Sequence, residues 1–188
     1  MTRPPFDIQP VLSGDQVVLR PLTSNDFEAL YAIASDPAIW AMHPFPDRYK
    51  IEVFQGFFAD AIASAGAFAV LDKARNNIVG STRFANFDAG HQTIEIGYTF
   101  FATACWRTGV NREVKALMLK HIFQFVGIVV FQIGAENYRS RTAVERLGGR
   151  LVLEHQRHHG GRYHDYTKYH LTKKDAYSGT LAPLLGSN

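Results

Sequence analysis

The chain has 188 residues, 46% of them hydrophobic and 20% charged, proportions that fit one packed globular domain and exclude a disordered, collagen-like or disulfide-framed chain. Twenty Lys and Arg against seventeen Asp and Glu leave a formal charge of +3, which suits a polyphosphate ligand as well as weak nucleic-acid contact and so selects neither. Cys105 is the sole cysteine, so an intrachain disulfide and a four-thiolate metal centre are ruled out, and a reducing cytoplasm is the expected setting.

The opening segment holds Pro4, Pro5 and then Asp7, without the continuous apolar stretch of a signal peptide. Val17 to Leu19 is a short apolar run ended by Arg20 and Pro21, and Thr23, Ser24 and Asp26 offer helix-starting side chains ahead of Phe27, Leu30, Tyr31 and Ile33. A strand and then a helix are expected, with a stop at Asp36 and Pro37. The segment from Trp40 to Asp47 sets rings between prolines and reads as a loop or short helical connection. Val53, Phe54, Phe57, Phe58 and Ile62 recur at helical spacing, and residues 67 to 71 and 78 to 84 read as a hairpin turning at Asn76 and Asn77.

Ile94, Ile96, Tyr98 and Phe100 then alternate imperfectly in another strand, whereas Val110, Val114, Leu117, Met118, His121, Ile122 and Phe125 share one face of a long amphipathic helix. Residues 128 to 133 read as a buried strand. The apolar run around it is broken by Gly127 and Gln132 and falls far short of the roughly 20 residues a membrane span needs, so no membrane partner is expected. A second helix over 137 to 147 closes at Gly148 and Gly149, a last hairpin over 151 to 171 turns at Gly160 and Gly161, and the tail after Thr172 reads as loose. The expected fold is α/β: one mixed, mostly antiparallel sheet of about seven strands flanked by about four helices, spanning 12 to 172, with 1 to 11 and 173 to 188 as terminal extensions.

Between the imperfect strand and the long helix lies Cys105-Trp106-Arg107-Thr108-Gly109-Val110-Asn111-Arg112-Glu113-Val114-Lys115. A helix start leaves backbone N–H groups unpaired and partly positive; with Arg107, Arg112, Lys115 and a glycine that permits close approach, such a segment can cradle a pyrophosphate. Spacing alone equally allows Thr108 to cap the helix while the cations face water. Glu95 is either a carboxylate turned into a site or an ordinary strand residue facing solvent. Asn137 and Ser140 have the spacing of a helix cap. Cys105 reads as a small, half-buried thiol, and a hairpin sends His158 and His159 to opposite faces, so no metal site is expected.

Several motifs together resemble the GNAT superfamily of acyl-CoA-dependent N-acetyltransferases, in the branch similar to ribosomal-protein N-terminal acetyltransferases. Ile94-Glu95-Ile96-Gly97-Tyr98 resembles that family's fourth strand, Trp106-Arg107-Thr108-Gly109-Val110-Asn111 its pyrophosphate loop, and Asn137-Tyr138-Arg139-Ser140-Arg141 with Glu145-Arg146-Leu147-Gly148 its coenzyme-contacting helix. Gly160-Gly161-Arg162 through Tyr169 resembles the closing hairpin of the branch. Two departures stand out: Arg107 replaces the first glycine of the loop, and Val144 occupies the position where many members carry a Tyr that protonates the leaving thiolate.

The resemblance implies acetyl-CoA as co-substrate and direct transfer of its acetyl group to a primary amine, either a small molecule or a protein N-terminus; the alternative is a non-catalytic acyl-CoA sensor on the same fold. It implies coenzyme contacts at Arg107, Thr108, Gly109, Val110, Asn111 and Arg112, and main-chain contacts at Thr99, Phe100 and Phe101. Asn137 would bond the pantetheine or acetyl region, and Ser140 would approach the sulfur. Glu95 would be the base, directly or through water, and Ser140 the second catalytic candidate. The connection between the first two helices would supply acceptor contacts from Trp40, His43 and Phe45, together with the last hairpin. A homodimer is compatible with the resemblance. A nucleic-acid partner is not expected, since no interleaved aromatic and cationic motif occurs.

Overall fold

The computed structural model describes residues 4–159 and 161–186. Eight strands form one sheet: β1 (Leu12–Ser13), β2 (Val17–Pro21), β3 (Ala67–Asp72), β4 (Asn77–Asp88), β5 (Thr93–Phe101), β6 (Ile128–Gly134), β7 (Arg150–His159) and β8 (Arg162–Thr172). Their spatial order is β1-β2-β3-β4-β5-β6-β8-β7, antiparallel throughout except where β5 runs parallel to β6. Six α-helices flank it: α1 (Phe27–Ala34), α2 (Ile51–Ala63), α3 (Val110–Ile122), α4 (Tyr138–Arg146), α5 (Lys173–Ser178) and α6 (Ala182–Leu185). Short 3-10 turns at Pro37–Ile39 and Pro46–Tyr49 make the proline-rich link between α1 and α2.

The sheet separates two apolar layers. On one face, Leu30 and Ala34 of α1 and Phe54, Phe58 and Ala61 of α2 pack on Ala67, Ala69 and Phe100, the helical i, i+4 and i, i+4, i+7 spacing meeting alternate strand positions. On the other, Val114, Met118, Leu119 and Ile122 of α3 pack on Phe68, Val70, Phe84, Ile94 and Ile96. Val144 and Leu147 join this second layer, which assigns the former to packing.

The mixed, mostly antiparallel sheet matches the sequence expectation, with two additions. A two-residue edge strand, β1, pairs Leu12 with Leu19. The segment after Thr172 is not loose: Thr172 caps α5 by accepting from the Asp175 N–H at 3.1 Å, and Ala176, Leu181 and Leu185 are buried against the α3 layer. Phe6 and Ile8 also pack there. Gly161 turns the last hairpin at φ +77°, while Gly160 lies outside the described residues. Among the described residues no helix is long and apolar enough to cross a membrane.

Candidate active site

The strands β5 and β6 are in register over only three pairs, Thr93 with Ile128, Ile94 with Val129 and Glu95 with Val130. Beyond Glu95 they part. The cause is a bulge: β5 shifts register against β4 between the pairs Ser81–Phe100 and Arg83–Gly97, and Tyr98 takes φ +55°. An extra residue bends the strand and disrupts its ladder locally, which accounts for the imperfect alternation of residues 94 to 100. The main chain of Thr99, Phe100 and Phe101 therefore runs along a divergence between neighbouring strands, while the rings of Phe100 and Phe101 are buried in the two apolar layers.

The α3 N-terminus stands at the far end of β5. Gly109 is its N-cap at φ +95°, and no side chain caps it. Thr108 does not perform that role, because its hydroxyl donates to the Cys105 carbonyl at 2.7 Å. The first intrahelical bond is donated by Glu113 to Gly109, so helix geometry leaves the amides of Val110, Asn111 and Arg112 without intrahelical acceptors. Arg107 (φ +64°), Thr108 and Arg112 are exposed around them. Glu113 is buried and holds the helix start to the β1–β2 turn, accepting from the Gln16 amide at 2.9 Å and its side chain at 3.1 Å. The Arg139 guanidinium stacks 4.0 Å from the Trp106 ring centre and donates to the Ile39 carbonyl at 3.0 Å, tying the loop to α4 and to the α1–α2 link.

Lys115 is not part of the cradle. It is buried, donating to Thr99 Oγ1 at 2.8 Å and Thr82 Oγ1 at 3.2 Å, and burial pushes its amine down to about 7. It thus supports the bulge from the α3 side. Asn137 is the N-cap of α4, its Oδ1 accepting from the Ser140 N–H at 3.2 Å, which places Ser140 in the first turn of that helix.

On the α1/α2 face Glu95 is buried, its Oε2 accepting from Asn86 at 2.8 Å and Gln132 at 3.0 Å. The reading of Glu95 as a solvent-facing strand residue is thereby excluded. Near it stand Arg83, Tyr98 and Tyr166: the Arg83 guanidinium lies 4.1 Å from the Tyr98 ring centre, and the charge of Glu95 acts on both Arg83 and Tyr166. Arg48 sits 4.3 Å from the Phe57 ring centre and is brought down to about 10 by burial.

Of the expected acceptor contacts, Trp40 is buried with its Nε1 donating to the Ala34 carbonyl at 2.7 Å; it is a wall of the core, not an open contact. His43 accepts from the Phe45 amide on Nδ1 at 2.9 Å, and burial with the Arg48 charge lowers its pKa to about 3. Phe45 meets His164 of the last hairpin with ring centres 4.9 Å apart. Sequence reasoning did not find Arg48, Arg83, Asn86 or Gln132; each lies outside any motif, the last three are brought together by the sheet, and Arg48 reaches them from the 3-10 turn before α2.

The chain is similar to several known proteins. It is 25% identical, in an alignment of 182 positions that covers 87% of this chain and 97% of the relative, to the uncharacterized N-acetyltransferase YoaA of Bacillus subtilis (strain 168). A GCN5-related N-acetyltransferase from Brucella melitensis superposes with a TM-score of 0.79 at 22% identity, covering 95% of this chain and 86% of that one. The spermidine N-acetyltransferase from Vibrio cholerae, solved in complex with CoA and spermine, superposes with a TM-score of 0.67 at 18% identity over 87% and 99% of the two chains. The acetyltransferase (GNAT) domain family matches residues 16–150, and with the parted strands and uncapped helix start already in view, the chain belongs to that family.

Proposed function

We propose that the protein transfers an acetyl group from acetyl-CoA to a primary amine by direct attack. The observation that carries this reading is the uncapped amide cluster at the start of α3 opening beside the divergence of β5 and β6. The residues present fit the coenzyme: the amides of Val110, Asn111 and Arg112 have no intrahelical acceptors at the start of α3, and the exposed Arg107 and Arg112 add charge around them. A left-handed Gly109 is what turns the chain to do so.

Acetyl-CoA supplies an activated thioester; the amine nitrogen bonds to the carbonyl carbon, the carbon–sulfur bond breaks, and the products are an amide and free CoA thiol. Main-chain groups of Thr99, Phe100 and Phe101, left without a β6 partner, orient the acyl arm as an added strand would be oriented. Glu95 receives the amine's proton, directly or through water, since an α-amino group titrates near 8 and a Lys amine near 10.4. Asn86 and Gln132 fix that carboxylate's position. Ser140 stands in the first turn of α4 as donor to the departing sulfur, with Asn137 holding the turn; the Val144 position offers no such donor.

The test is release of CoA thiol from purified protein with acetyl-CoA and a panel of primary amines. Turnover is expected with at least one class, Arg107→Glu is expected to weaken acetyl-CoA binding, and Glu95→Gln to slow transfer while binding survives. Acetyl-CoA binding without thiol release across amines and N-terminal peptides would overturn the reading in favour of a sensor module.

A further inference from the structure

Beneath α2, a buried cation, Arg83, and a half-buried one, Arg48, stand on the same face of the sheet as Glu95. Arg83 is 5% exposed, and its Nε and Nη2 atoms have no hydrogen-bond partner among the described residues. Unmade hydrogen bonds on a buried guanidinium are expensive. Arg83 lies over Tyr98 at 4.1 Å and beside Phe57 at 5.8 Å; Arg48 packs on the same Phe57 ring at 4.3 Å, so one aromatic plate holds both guanidiniums. Each is a planar fork of donors suited to a carboxylate or phosphoryl group.

The surrounding groups leave that charge uncompensated. Among the described residues neither Arg48 nor Arg83 stands at ion-pair distance from a carboxylate. Two acids act on them from further away: Asp60 is exposed and therefore screened, and the Glu95 oxygen that is bonded serves Asn86 and Gln132. The His43 ring brings no negative charge: its Nδ1 accepts from the Phe45 amide, and its Nε2 lies 3.1 Å from Arg48 Nη1. A polyamine would bring further positive charge to this pocket.

We infer that the acceptor is an amine carrying an anionic group, carboxylate or phosphoryl, which Arg83 and Arg48 receive while Glu95 attends the nitrogen. The inference rests on the acetyl-transfer reading above and narrows it. It places free amino acids, acidic peptides and phosphorylated amines ahead of polyamines.

The experiment compares kcat/KM for matched acceptors: amino acids against their C-terminal amides, phosphoethanolamine against ethanolamine, and spermidine. The anionic member of at least one pair is expected to lead by about ten-fold or more, the scale of one charge-assisted hydrogen bond, and the two kinds of pair tell carboxylate from phosphoryl. Arg83→Gln and Arg48→Gln are each expected to shrink that ratio toward one, with acetyl-CoA affinity by calorimetry retained as a check on folding. Turnover that favours the neutral or cationic members overturns this inference alone. Failure of every acceptor to give thiol release overturns the acetyl-transfer reading, and this inference with it. The wild-type comparison stands even if a variant does not fold.

Discussion

Replacing Lys115 by Met gives a stability change whose size and pH dependence both follow from burial. The amine titrates at 10.5 when unhindered and at about 7 in the folded chain. Folding therefore carries no burden from this group above pH 10.5; as pH falls the unfolded chain takes up a proton the folded chain refuses, and wild-type stability drops by about 1.4 kcal/mol per unit until the folded amine itself protonates near pH 7. The accumulated loss at pH 7 is about 5 kcal/mol. Against it stand two hydrogen bonds to Thr99 and Thr82, about 1 kcal/mol each. The two hydroxyls are 2.8 Å apart and can bond one another, so Met leaves neither isolated. Lys115→Met is thus expected to be more stable than wild type by about 3 kcal/mol at pH 7, an advantage that is gone between pH 9 and 10. Urea unfolding of both proteins at pH 7, 8 and 9 measures the gap. A gap that does not change with pH would show the amine to be charged in the folded protein and would refute the reasoning.

Three further outcomes are expected. Gly109→Ala meets open space, with only Gln16 Nε2 at 3.9 Å, but must adopt φ +95°; it should lose about 1–2 kcal/mol in thermal unfolding and weaken acetyl-CoA binding, and Gly109→Asn should recover part of both because Asn tolerates positive φ. The His43 imidazole, held at about 3, should stay neutral in an NMR titration from pH 8 to 5, so a bell-shaped activity profile in that range would owe neither limb to it. Arg139→Ala removes the stack on Trp106 and the bond to Ile39; acetyl-CoA Kd should rise several-fold, with faster hydrogen exchange confined to residues 106 to 109, while a global loss of protection would show Arg139 to be a general stabiliser instead.

The loop at 105 to 115 was legible because helix starts are encoded locally: one glycine and the apolar spacing of Val110, Val114 and Met118 suffice to place the amides. Lys115 was misplaced for a physical reason. Its charge argues for water, but it stands at i, i+3, i+4, i+7 with Met118, Leu119 and Ile122, so it lies on the stripe that α3 turns to the sheet, where its amine meets Thr82 of β4 and Thr99 of β5. Arg48 and Arg83 escaped for another reason. They sit 35 positions apart on a 3-10 turn and a strand, and no periodicity relates residues whose proximity arises from α2 crossing β4 and β5.

The place of the site follows from chain topology before any functional side chain is considered. Parallel neighbours cannot be joined by a tight turn, so the one parallel pair among the described strands, β5 and β6, requires a crossover, and α3 is that crossover. A crossover helix begins where its strand ends, which puts the α3 amides at the carboxyl end of β5, and the opening lies where these two strands stop pairing. The Tyr98 bulge then determines how early they stop. Had β5 kept its register past Glu95, the groups of Thr99 to Phe101 would bond to β6 and present nothing to a ligand. Glu95 is the last paired residue before the split, so its carboxylate reaches the α1/α2 face at the apex of the opening. There the buried Arg83, paired across from Gly97, is its neighbour. The base and the anion-binding cation proposed above are in this way set side by side by one interrupted ladder, which is why the amine and its charged substituent are expected to be read by adjacent strands and not by the variable loops.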